Sequence, residues 1–188
     1  TRELWQIERA FIGNGESKQQ ARRYSITGFG GQGKTALACA AAQWFLQTGL
    51  FQRACFVSYA AYQGQDPVGW AIANIGEALH QSLPNAEAAT QALAASPTLL
   101  ILDNLETLAD LDGGQGLAAL LDAAIPWSEA GDSRVLLTSR QPDFQHPGYP
   151  QEGEWYHQVL PLKGLNPADA LAWFRDLYSR PPKARQPR

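Results

Sequence analysis

The chain has 188 residues, 45% of them hydrophobic and 18% charged, which allows one domain with a full core and excludes a disordered chain. Its formal net charge of −3 argues against nucleic acid as the main partner, because phosphate binding needs a basic face. No apolar run approaches the ~20 residues of a membrane span, nothing at the start reads as a signal peptide, and the lack of any Met suggests a piece of a longer protein.

In chain order, Leu4, Trp5, Ile7, Glu8 and Phe11 predict a short amphipathic helix, followed by a polar loop from Gly13 to Gln20. Tyr24 to Thr27 reads as a strand, and Ala36 to Leu46 as a helix of strong helix formers that Gly49 ends. Arg53 to Tyr59 is a second strand. Asp66-Pro67 caps a helix to about Leu83, with Trp70, Ile72, Ile75 and Leu79 on its buried side. Asn85 to Ala95 is a further helix. Thr98 to Leu102 is an apolar strand ended by Asp103, as expected for a strand covered on both faces.

Asp110 to Gly116 is a turn-rich loop, Leu117 to Ala124 a short helix and Arg134 to Thr138 a fourth strand. Ser139 to Gly153 is a loop, Trp155 to Leu160 a fifth strand, and Asn166 opens a last helix to about Tyr178. Most of the six Trp residues are expected in the core, with Trp5 a candidate neighbour of a bound base. Cys39 and Cys55 read as buried thiols of a reducing, cytoplasmic compartment, and His80, His146 and His157 show no metal spacing. Five strands alternating with helices predict an α/β fold of three layers: a mostly parallel sheet with helices on both faces. Ligands bind such sheets beyond the C-terminal strand ends. Gly28, Asp103 and the triplet Thr138-Ser139-Arg140 all fall there and should converge.

Gly28 to Thr35, GFGGQGKT, matches the phosphate-binding loop G-x-x-x-x-G-K-[ST]. Glycines let the backbone approach an oxyanion, successive N–H groups form an anion nest, and the helix start adds partial positive charge. The nucleotide-binding positions are Gly28, Gly30, Gly31, Gln32, Gly33, Lys34, Thr35 and Ala36. Lys34 would place an ammonium on the β- and γ-phosphate oxygens, and Thr35 would ligate Mg²⁺.

Leu99 to Asp103 is an apolar strand ending in a carboxylate, the Walker B pattern, with Asp103 a second Mg²⁺ holder through water. Asn104 follows, an amide that cannot act as a general base, so hydrolysis should be slow or absent. Glu106 is the nearby carboxylate that could serve; it reads equally as a solvated loop residue or a charge at a helix start. Arg140 could touch a γ-phosphate and report its presence, or pair with a surface carboxylate.

GFGGQGKTALA, LLILDNLE, RVLLTSR and LPLKGLNPADALAWF, in this order and spacing, resemble the nucleotide-binding domain of STAND NTPases. That group includes the NB-ARC proteins and many large bacterial regulators, so a bacterial source is expected. The resemblance implies Gly28 to Thr35 as Walker A, Asp103 as Walker B and Arg140 as the sensor arginine. It also implies an ATP/ADP switch with Mg²⁺, preference for adenine, and self-association on activation. Residues 1–165 would be the nucleotide-binding domain, 166–179 the first helix toward a small helical domain, and 180–188 a disordered linker. The small helical and winged-helix domains, sensor repeats and an effector are expected in the full-length protein. Without them, ADP should bind weakly and exchange fast.

Competing readings are a metabolic P-loop kinase, for which no ordered basic lid is evident, and a domain with a purely structural nucleotide. Another is an AAA+-like remodelling or DNA-loading ATPase, from which a carboxylate in place of Asn104 and often a basic surface would be expected.

Overall fold

The computed structural model describes residues 1–13, 19–164, 171, 172 and 175. Its elements are α1 (Arg2–Ile12), β1 (Arg23–Thr27), α2 (Lys34–Thr48), β2 (Arg53–Ser58), α3 (Pro67–Leu79) and α4 (Ala86–Ala94). They continue with β3 (Thr98–Asp103), the single-turn α5 (Glu106–Ala109), a 3-10 turn (Asp112–Gly114), α6 (Gln115–Glu129), β4 (Arg134–Ser139) and β5 (His157–Pro161). The strands lie in the order β2-β3-β4-β1-β5, and each pairing is parallel. β1 is therefore interior although it comes first, and β4 stands between β1 and β3.

The two-residue period of a strand divides the core into two layers. Leu99 and Ile101 of β3 and Leu136 of β4 join Ile7, Phe11 and Phe45 of α1 and α2 on one face. Leu100, Leu102, Val135 and Leu137 meet Ile75, Leu93, Leu121 and Trp127 of α3, α4 and α6 on the other. Phe11 holds α1 in place through edge contacts with Tyr24, Phe45 and Phe51 at centroid distances of 6.0, 6.1 and 5.9 Å. Such pairs contribute about 0.5–1.5 kcal/mol each beyond burial. Asp66 and Asn85 cap α3 and α4 by accepting from Gly69 N–H at 2.8 Å and Ala88 N–H at 2.9 Å. Gly49, in the left-handed region, ends α2.

A polar layer lies under β1. Ser25 Oγ is 2.8 Å from His157 Nε2, and both residues are buried. Arg23 donates to Ser128 Oγ at 2.9 Å and lies over the Tyr149 and Tyr156 rings. Burial, with the Arg23 guanidinium nearby, pushes the His157 pKa down to about 4.

Several expectations are corrected. α3 stops at Leu79, where His80 turns left-handed at φ 54; Ile75 and Leu79 are buried as expected, with Pro67, Ala71 and Gly76, and Ile72 packs partly buried against the core. Trp70, one position off this buried stripe, is exposed and donates from Nε1 to Ser58 O. Of the five Trp among the described residues, only Trp127 is buried. The others project from helix faces or loops with the sheet already covered. Cys55 is buried, but Cys39 points outward from α2. α6 runs from Gln115 to Glu129, through Pro126, rather than stopping at Ala124. Trp127, buried with its Nε1 donating to Ala86 O at 3.2 Å, outweighs the hydrogen bond that Pro126 cannot make. β5 starts at His157, two residues later than expected, which leaves Trp155 exposed. The last expected helix, 166–178, lies outside the described residues except for helical positions 171, 172 and 175, and the linker 180–188 lies wholly outside them.

Candidate functional site

The turn from β1 into α2 takes its shape from its glycines. Gly28 has φ 146, and a Cβ there would stand 2.6 Å from Leu162 O. The same point is clamped from both sides, because Gly28 N–H donates to Ser139 O at 3.2 Å and Leu162 N–H donates to Thr27 O at 2.7 Å. Only glycine fits such a conformation and approach. Further on, Gly33 is the left-handed N-cap of α2 and has no side chain to cap the helix. The first N–H groups of α2 therefore have no acceptor within the helix. Lys34 lies across the loop, buried, with Nζ donating to Gly28 O at 2.8 Å and Phe29 O at 3.0 Å.

Behind the loop stands the carboxylate at the end of β3. Asp103 is 2% exposed, and its Oδ1 accepts from the Thr35 hydroxyl at 2.8 Å and the Thr138 hydroxyl at 2.6 Å. Thr138 comes from β4, the strand between β1 and β3. Its hydroxyl also accepts from Asn104 N–H at 3.0 Å, and its carbonyl accepts from Leu105 N–H at 3.1 Å. Asn104 takes the left-handed φ of 63 that turns the chain at this point. Each hydroxyl has one proton, and both Thr35 and Thr138 direct theirs to Asp103. The lone pairs of Thr35 Oγ1 are thereby left for a cation.

Glu106 and Arg140 form the opposite wall. Glu106 Oε1 is 2.9 Å from Arg140 Nε, and its Oε2 accepts from the Arg140 main-chain N–H at 3.2 Å. Asn104 Nδ2 donates to Oε1 at 3.4 Å. The guanidinium rests against Gly30, with Cζ and Nε each 3.6 Å from where a Gly30 Cβ would be.

These groups enclose an open cleft of about 320 Å³ beyond the strand ends. Gly30, Gly31, Gly33, Lys34, Thr35 and Ala36 line one side, and Asn104, Glu106 and Arg140 the other. Gly28, Gln32 and Asp103 are not part of the lining; Asp103 sits behind Thr35, and the Gln32 side chain turns back toward Gly28. Trp5 lines a different groove, of about 630 Å³, along α1 and β5, with the Arg9 guanidinium 5.0 Å from its ring centre. His146 pairs with Asp122 at 3.1 Å, away from the cleft. Sequence reasoning missed the hydrogen bond of Thr138 to Asp103 and the place of Asn104 in the wall. The only signal for either was a hydroxyl at the end of an apolar strand.

In comparison with solved structures, the chain resembles Cdc6p from Pyrobaculum aerophilum with a TM-score of 0.62 at 14% identity, over 93% of this chain and 48% of that one. It resembles the Aeropyrum pernix ORC2 protein, solved as ADPNP-ADP complexes, with a TM-score of 0.59 at 16% identity, over 85% and 47%. For the Aeropyrum pernix ORC1 protein, solved in complex with DNA, the TM-score is 0.56 at 19% identity, over 85% and 44%. The chain thus spans less than half the length of these proteins, and at such identities the likeness concerns the fold alone: a five-stranded parallel sheet with helices, the α/β fold of P-loop NTPases. No curated protein matches the sequence. Residues 22–181 match the NACHT domain, a family of P-loop NTPases related to the STAND group, although the match does not name NB-ARC. With that match covering most of its length, the chain belongs to the NACHT domain family.

Proposed function

We propose that this NACHT nucleotide-binding module takes ATP or ADP with Mg²⁺ in the cleft and works as a slow signalling switch of STAND type. The observation that carries the reading is the convergence of Thr35 and Thr138 on one oxygen of Asp103, directly behind the loop that Lys34 crosses. The residues fit such a ligand. The would-be Cβ positions of Gly31 and Gly33 meet no atom within 4 Å, so the backbone there is open to an anion. The start of α2 lacks a side-chain cap, so its N–H groups can serve phosphate oxygens.

Lys34 and the N–H groups from Gly30 to Ala36 would hold the phosphates, and Arg140 would meet the terminal one. Thr35 and Asp103 would hold Mg²⁺, Asp103 through water, and the ion would neutralise phosphate charge. Preference for adenine rests on the resemblance to STAND proteins. So do the small helical and winged-helix domains, sensor repeats, effector, self-association, bacterial source and cytoplasmic location of the whole protein. Slow turnover rests on Asn104, which lines the cleft where a base would be needed and cannot accept a proton.

Calorimetric titration with ATP, ADP and GTP, each with and without Mg²⁺, tests the reading. Adenine nucleotides should bind, ATP more tightly with the ion, and turnover should fall well below the ~1–10³ s⁻¹ of ordinary enzymes. Equal binding of GTP would overturn the adenine preference, and brisk turnover the switch. The alternative, an AAA+-like remodelling or DNA-loading ATPase, is favoured by the fold likeness to ORC and Cdc6 proteins, and brisk turnover would support it.

A further inference from the structure

We propose that Glu106 is the positioning residue of Arg140, and that its work is to aim the guanidinium at the terminal phosphate rather than to activate water. The proposal rests on the reading that the cleft binds a nucleoside triphosphate. Glu106 is largely buried at the start of α5, and it spends both carboxylate oxygens on one residue. Oε1 takes the side-chain Nε of Arg140 at 2.9 Å and Oε2 takes the main-chain N–H at 3.2 Å. The carboxylate therefore grips the arginine at two points, one on the backbone and one near the end of the side chain.

Chemistry separates the two roles. A general base must offer an oxygen lone pair to water, and each donor already held occupies one of the few that a carboxylate has. Glu106 also carries Asn104 Nδ2 on Oε1 at 3.4 Å. A positioning residue needs what is observed here. The bond to Nε leaves the two terminal nitrogens of the guanidinium to face a ligand, and a phosphate is the group such a fork suits. The Arg140 side chain is 62% exposed, so without a tether it would sample many rotamers. With it, the guanidinium is held against Gly30 at the mouth of the phosphate loop. The supporting backbone is fixed too, because Asn104 and Leu105 N–H both bond to Thr138 and so lace the exits of β3 and β4 together.

The test is a double-mutant cycle on the ratio of affinities for a non-hydrolysable ATP analogue and for ADP, both with Mg²⁺. Arg140→Ala should lower affinity for the analogue about tenfold more than for ADP, the loss of one charge-assisted contact. Glu106→Ala should reproduce most of that change, although it leaves the arginine in place. The double variant should be no worse than Arg140→Ala, because Glu106 then has nothing to aim. Glu106→Gln, which keeps one acceptor oxygen, should fall between wild type and Glu106→Ala. A wild-type ratio in Glu106→Ala, in Arg140→Ala, or losses that multiply in the double variant, would overturn the proposal. So would loss of turnover in Glu106→Gln with the ratio unchanged, which is the signature of a base. ADP affinity and thermal melting of each variant report whether it is folded. Failure of the unaltered chain to bind ADP would instead sink the nucleotide reading and this proposal together.

Discussion

The Thr138 hydroxyl donates to Oδ1 of Asp103 over 2.6 Å, so the end of β4 holds the carboxylate at the end of β3. Because the same hydroxyl accepts from Asn104 N–H, Thr138→Val removes a donor and an acceptor at once without much change of shape. A buried group left unpaired costs about 1–3 kcal/mol. Urea denaturation should show a loss of that size, and the Mg²⁺-dependent part of ATP affinity should fall with it. A variant as stable as wild type would show that the pair contributes nothing.

Lys34→Ala should weaken both ATP and ADP, since the ammonium at the mouth of the loop would be lost from a charge-assisted contact. The expected loss is about 1.5–3 kcal/mol, or roughly ten- to a hundredfold in affinity. Equal affinities for the two proteins in calorimetry would show that this loop is not the site.

Two glycines with positive φ should respond differently to alanine. At Gly49, φ is 76 and nothing lies within 4 Å of an added Cβ, so Gly49→Ala should cost only the left-handed penalty of about 1–2 kcal/mol. Gly28→Ala meets the Leu162 carbonyl at 2.6 Å and must displace backbone as well, so its cost should be larger. Melting temperatures of the two variants give the comparison, and a smaller shift for Gly28→Ala would contradict the packing described.

The buried His157 predicts an acid-sensitive fold. Its pKa is pushed down to about 4 in the native state, while an unfolded histidine keeps its ordinary value of about 6.5. Between those values the unfolded chain binds the extra proton, so stability is full above about pH 6.5 and falls as pH drops toward 4. The slope from this one group is about 1.4 kcal/mol per pH unit. Urea unfolding at pH 7, 5.5 and 4.5 would measure it. His157→Gln should flatten that part of the profile, and an unchanged slope would place the sensitivity elsewhere.

Much of the molecule was legible from local signals. The glycine spacing before Lys34-Thr35, the apolar run ending in Asp103, and the cap at Asp66 each depend on neighbours a few residues away. Such signals set element type, and with it the alternation of strands and helices. They do not set which strands lie side by side, because a parallel pairing is made across a crossover of a dozen or more residues. Only the tertiary structure placed β4 between β1 and β3. That order brings Thr138 onto Asp103, sets Arg140 against Gly30 and turns Glu106 toward Arg140. Packing likewise decided against local expectation at Pro126, carried inside α6 by the burial of Trp127, and at Trp70, one helical step off the buried stripe. By itself the sequence determined the parts that carry the chemistry. That Gly28, Asp103 and Thr138 to Arg140 meet followed from their places at strand ends; which of them bond to each other was decided by long-range packing, in which burial outweighs the preference of any single residue.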